Sequence, residues 1–180
     1  MNPPLMQLPK QKKPKKNSNT VIDMNLPKHL LYRMGLSFAI LVLIDQLSKI
    51  VVSYNIPLGQ SKTLIPGLLS IVKVHNRGTI WGLGQGGNMI FAFLAIIVVF
   101  LILVFVPKII KDKSSSIAIG MILGGAIGNL IDRFARGFVV DFIHLEFINF
   151  PVFNIADSGI VVSAIILVYV MIFNETKNDS

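Results

Sequence analysis

Four long apolar runs constrain this chain more than any other feature. They extend from about residue 30 to 53, 89 to 106, 115 to 134 and 154 to 173. Each is long enough to cross roughly 30 Å of hydrocarbon at about 1.5 Å per helical residue. Composition agrees: 53% of the 180 residues are hydrophobic and only 14% charged, against roughly 25% charged in soluble domains. Mean hydropathy is +0.68. There is no cysteine, which excludes disulfides, thiolate metal sites and a thiol nucleophile.

The net charge of +8 is concentrated near the amino terminus. Lys10, Lys12, Lys13, Lys15, Lys16, Lys28 and Arg33 face one acid, Asp23. A nucleic-acid tail is one reading of such a run. A cytoplasmic flank that sets topology and touches anionic headgroups is the preferred one, with no nucleic-acid partner. The loop after the second run carries Lys108, Lys111 and Lys113 against Asp112, so both belong inside, and an even number of spans returns the carboxyl terminus there. Residues 1–28 are expected to be a basic, disordered cytoplasmic extension, 29–174 a membrane-embedded domain and 175–180 a short cytoplasmic tail. Pro107 and Lys108 are expected to close the second span.

Between the first two spans, LIPGLLSIVKVHNRGTIWGLG mixes alternating apolar residues with Gly and Pro, which predicts short strands and turns. Residues 137–150 are similarly rich in strand formers. The expected fold is an all-α membrane protein, a four-transmembrane-helix bundle with a small extracytoplasmic β platform.

In that topology the intramembrane polar residues share one depth. The first span places Asp45, Gln46, Ser48 and Lys49 in its outer half; the third ends with Asn129, Asp132 and Arg133; the fourth opens with Asn154, Asp157 and Ser158. Asp141 lies in the connecting loop. Such residues cost roughly 2.5 to 3.5 kcal/mol each on insertion scales, so they are functional candidates by default. Each also has a structural reading. Asp45 and Lys49 are in the acid-first i,i+4 order of a helical ion pair. Gly120, Gly124 and Gly128 suit close helix packing. Asp132 beside Arg133 suits an interfacial anchor. Asn154 and Asp157 suit a capping box, which also sets Asp157 at the positive end of a helix dipole. Asp141 lacks that help and is expected among apolar residues, which favours its proton.

Other chemistries fit poorly. His29, His75 and His144 are scattered, so no metal and no cofactor are expected. GLGQGG at 82–87 lacks the lysine of a phosphate loop. Ser48 and Lys49 are helix neighbours that point apart. An aspartate pair sharing one proton remains, and it suits water attack on an amide. The alternatives are a small proton-coupled transporter or channel, and a structural assembly partner using the glycine face.

Five blocks in order resemble the lipoprotein signal peptidases: DQLSK at 45–49, HNRG at 75–78, GGAIGNLIDR at 124–133, GFVVDF at 137–142 and FNIADS at 153–158. The resemblance implies an aspartic endopeptidase of the bacterial cytoplasmic membrane, monomeric, with both termini cytoplasmic and its site near the outer leaflet. It implies cleavage of diacylglyceryl-modified prolipoproteins before the lipidated cysteine, contact with membrane lipids, and inhibition by globomycin-type peptides. The catalytic pair it implies is Asp141 and Asp157. Asp45, Lys49, Asn76, Gly78, Asn129, Asp132, Arg133 and Asn154 are the supporting residues. Two departures stand out: Thr79, Ile80 and Trp81 replace the family's usual Ala-Ala-Phe, and the basic extension is long.

Overall fold

The computed structural model describes residues 26–78 and 87–175. The expectations for the basic extension, for Thr79–Trp81 and for most of GLGQGG lie outside those residues, as does nearly all of the carboxyl-terminal tail. Four helices are long and apolar enough to cross a membrane. They are α1 (Lys28–Asn55), α2 (Gly87–Ile109), α3 (Lys113–Arg136) and α4 (Ile155–Glu175). The expected spans fall inside all but one residue of these limits, since Asn154 precedes α4. The expected stop at Pro107 is corrected. Pro107 lies within the last turn of α2, which continues to Ile109. So near the helix end, proline removes one hydrogen bond without breaking the span.

Three strands form the platform: β1 (Ser61–Ile65), β2 (Leu69–Asn76) and β3 (Val139–Leu145). They pair antiparallel in the order β1-β2-β3. The β1–β2 hairpin turns at Gly67, whose φ of 71° is cheap only for glycine. Lys73 ties β2 to the bundle by donating to the Ser53 carbonyl at 2.8 Å, placing a cation at the carboxyl end of α1.

Helix α3 is the centre of the bundle. Asp112 and Ser115 cap its start reciprocally, and Gly137 ends it in the left-handed region at φ 76°, turning the chain into β3. Its glycines admit both neighbours. A Cβ on Gly124 would lie 2.8 Å from the Phe38 carbonyl oxygen of α1, and one on Gly125 would lie 2.6 Å from the Ala156 carbonyl oxygen of α4. A Cβ on Gly120 would meet the Met34 carbonyl. The glycine face is therefore a packing seam, as its spacing predicts.

Gly124→Ala is expected to cost about 1 to 3 kcal/mol, because a backbone oxygen cannot step aside. Gly35→Ala on α1, where a Cβ meets nothing within 4 Å, is expected to be neutral or stabilising by up to about 1 kcal/mol through helix propensity. Thermal unfolding in detergent separates the two.

Candidate active site

The site stands where α1, α3 and α4 meet the platform. Asp141 sits on β3 opposite Val74 of β2, and Asn76 is the diagonal neighbour two residues on. That register lets the Asn76 amide donate to Asp141 Oδ2 at 2.8 Å. Gly78, at φ 77°, donates its N–H to Asn76 Oδ1 at 2.8 Å, which turns the amide nitrogen towards the carboxyl group.

Asp157 occupies the first turn of α4. Its backbone N–H donates to Asn154 Oδ1 at 3.0 Å, and the Asn154 N–H donates to Asp157 Oδ2 at 3.1 Å. This is the reciprocal box expected from the sequence. Asn129 of α3 donates to Asp157 Oδ1 at 2.8 Å. Asn154 also donates through its side chain to Asp141 Oδ1 at 2.7 Å. One fully buried residue thus touches both aspartates, through its backbone for one and its amide for the other. Three asparagines supply donors to the pair without adding a charge.

Behind them lies a buried ionic layer. Lys49 Nζ donates to Asp45 Oδ2 at 2.8 Å and to Asn129 Oδ1 at 3.0 Å, and it meets Asp132 Oδ2 at 3.0 Å. Those three acceptors use all three protons of an ammonium group. Because Asn129 presents its oxygen to Lys49, its nitrogen faces Asp157. Asp45 Oδ1 accepts from the Ala156 N–H at 3.0 Å, locking α1 to the start of α4. Asp132 Oδ2 accepts from the Val140 N–H at 3.2 Å, fixing the backbone one residue before Asp141. Asp45, Lys49, Asp132 and Asn154 have no exposed surface, so each polar atom must find its partner inside.

Asp132 and Arg133, adjacent in sequence, send their charges to different partners. They do not pair with each other, because helix neighbours diverge. Asp132 pairs with Lys49 and, at 2.6 Å, with Arg136. Arg133 donates to the Asn129 carbonyl at 3.2 Å and reaches the aspartates only through its field. Arg136 was absent from the expected site, although its i,i+4 spacing from Asp132 follows the rule that exposed the Asp45–Lys49 pair. Gln46 was also left out of it; its amide bridges Asp45 Oδ2 and the Gly128 carbonyl, both at 3.0 Å. Ser48 donates to the Asp45 carbonyl at 2.7 Å, so no serine–lysine pair forms.

Both aspartates and Asn76 line one cavity of about 550 Å³, whose remaining wall is mostly apolar and includes Leu145, Ile148, Phe150, Val161 and Val162. Burial raises the Asp141 carboxyl from 3.8 to about 6; the Asn76 donor opposes the rise and the Asp157 charge adds to it. Folded protein therefore holds this proton more tightly than unfolded chain. The resulting stability is complete below about pH 4 and is lost as pH rises through about 6.

The architecture defines a class, a four-span membrane protein with a carboxyl pair opening onto an apolar cavity. Comparison with known proteins makes the class specific. The family model for signal peptidase (SPase) II matches residues 37–173. The lipoprotein signal peptidase of Enterococcus faecalis is 40% identical over 141 residues, covering 76% of this chain and 86% of that protein. Its counterpart in Streptococcus pneumoniae is 37% identical, covering 78% and 92%. A solved bacterial membrane enzyme superposes with a TM-score of 0.72 at 32% identity, covering 82% of this chain and 91% of its own. The chain belongs to the signal peptidase II family, whose members are aspartic proteases. The transporter and assembly readings are set aside by that membership.

Proposed function

We propose that the chain cleaves diacylglyceryl-modified prolipoproteins on the amino-terminal side of the lipidated cysteine, with Asp141 and Asp157 as the catalytic pair. The observation that carries this reading is Asn154, which bonds both aspartates at the wall of the cavity. Asp141 starts with the proton and Asp157 acts as the base, the proton belonging to the coupled pair. Asp157 takes a proton from water as its oxygen attacks the scissile carbonyl carbon. Asp141 gives its proton to the developing oxyanion. Collapse of the tetrahedral intermediate breaks the C–N bond: the amine leaves with the proton held by Asp157, Asp141 takes back a hydroxyl proton as the C=O bond reforms, and the acid product ionises on release. The products are a free carboxylate and a free amine.

The lysine-rich flanks support an orientation with both termini in the cytoplasm and the site at the outer leaflet. The lipid-facing bundle supports contact with membrane lipids, and a cavity with its carboxyl pair supplied by one chain suits a monomer acting on a lipidated peptide. The apolar wall is suited to the substrate's acyl and signal-peptide side chains, and globomycin-type peptides are expected to compete there. A synthetic diacylglyceryl-cysteine peptide cleaved by purified protein in ¹⁸O-water tests the reaction. One ¹⁸O atom is expected in the new carboxylate after a single turnover. Label found on the enzyme, with the first turnover carrying none, overturns direct water attack.

The acid proton also predicts a pH profile. For free enzyme, kcat/KM is expected to fall on the alkaline side with a midpoint near 6. Asn76→Ala removes a donor that favours ionised Asp141, so the midpoint is expected to move to higher pH even as the rate drops. An unmoved midpoint would detach this limb from Asp141.

A further inference from the structure

The platform carries an apolar tip that extends beyond the substrate cavity. The β1–β2 turn presents Leu64, Ile65 and Leu68 to the outside, and the loop after β3 presents Phe147, Ile148 and Phe150. These two segments are built as one surface. Glu146 N–H donates to the Leu68 carbonyl at 3.0 Å, and the Glu146 carboxylate accepts from the Gly67 N–H at 2.8 Å. The local acid is thus spent on holding the two loops together.

The depth of this surface follows from the cavity. Ile148 and Phe150 line it together with Val161 and Val162. Those valines lie four and five residues after Asp157 on α4, about 6 to 8 Å further along the helix axis, and both are exposed on its flank. A loop that shares a wall with the lipid-facing flank of a membrane span has folded back alongside that span. Its exposed rings continue the apolar surface of α4. Lys62, two residues before Leu64 on the exposed strand β1, supplies a cation where headgroup phosphates would lie.

We propose that the β1–β2 turn and the loop after β3 form an in-plane anchor inserted into the bilayer, which sets the platform and its carboxyl pair at a fixed depth. The occupant of this apolar surface is lipid. The assignment to the outer leaflet rests on the orientation proposed above; the insertion itself does not.

The lack of native cysteine makes single labelling direct. Leu64→Cys, Phe147→Cys, Lys62→Cys and, as a mid-span reference, Val168→Cys are spin-labelled in protein reconstituted into phosphatidylethanolamine–phosphatidylglycerol vesicles. Labels at 64 and 147 are expected to collide with dissolved oxygen more than with a water-soluble nickel chelate, at a depth between those at 62 and 168. A water-like collision ratio at both positions overturns the proposal. Shielding from both reagents also overturns it and points to a second copy of the chain.

A functional arm uses Phe147→Glu and Leu64→Glu, neither of which lines the cavity. Cleavage in vesicles is expected to fall about tenfold while cleavage in detergent stays within about twofold. Equal rates in vesicles would overturn the anchor. The collision measurement needs no catalysis, so failure of the peptidase reading and failure of the anchor give different results.

Discussion

Asp141→Asn protein is expected to lose cleavage of lipidated peptide by about 10²- to 10⁴-fold, the range in which positioned proton transfer operates. The change is almost isosteric, so lost volume does not explain the loss. It replaces a group that can carry and release a proton with one that cannot. It also alters the local hydrogen bonds, because Asp141 accepts at both oxygens, from Asn154 and from Asn76. An amide at 141 necessarily turns a donor towards one of these donors, so some thermal destabilisation should accompany the kinetic effect. Asp157→Asn is expected to fall in the same range, for it meets the same conflict with Asn129 and the Asn154 N–H. The double variant should be little worse than either single one, because the pair acts as a unit. Rates measured in detergent at saturating peptide decide the point. Either single variant retaining normal turnover would remove the pair from the mechanism.

Lys49→Met should have the largest effect on stability, about 3 to 5 kcal/mol, since it leaves buried carboxylates without their cation. Asp45 loses its only ion-pair partner among the described residues, whereas Asp132 keeps Arg136. A triple replacement, Asp45→Leu with Lys49→Met and Asp132→Leu, should recover part of that loss, because a matched apolar set avoids the desolvation cost. It should not recover activity. Without Lys49 the Asn129 oxygen keeps only the Asn154 amide, at 3.1 Å, to hold it away from Asp157, and without Asp132 the Val140 N–H loses its acceptor. Unfolding midpoints and cleavage rates measured on the same samples separate these outcomes. Recovery of both together would mean that the ionic layer has no positioning role.

The spans and the Asp45–Lys49 pair were legible in the sequence because both depend on local periodicity. Hydropathy marks a helix that must face lipid, and four-residue spacing marks side chains on one face. The capping of α4 by Asn154 and Asp157 was legible for the same reason. What spacing could not show was the choice among several partners for one group. Asp132 has Arg133 beside it, Arg136 one turn on and Lys49 on another helix, and it takes the last two. That selection depends on how closely α1 approaches α3; the glycine spacing announced a close approach but not which helix backbone makes it. The amide direction of Asn76 was equally hidden. It requires the β2–β3 register, which contains a bulge between Ile71 and Val74 that no alternation pattern announces.

Gly128 has a further consequence for traffic through the bilayer. A Cβ there would lie 2.6 Å from Asp45 Oδ2, so the seam between the first and third helices has no room for a guest at the level of the carboxyl pair. The cavity instead reaches the flank beside Val161 and Val162, where a precursor whose own signal helix stays in the membrane is expected to approach. Close packing on one side thereby turns the approach to the carboxyl pair towards the opposite flank.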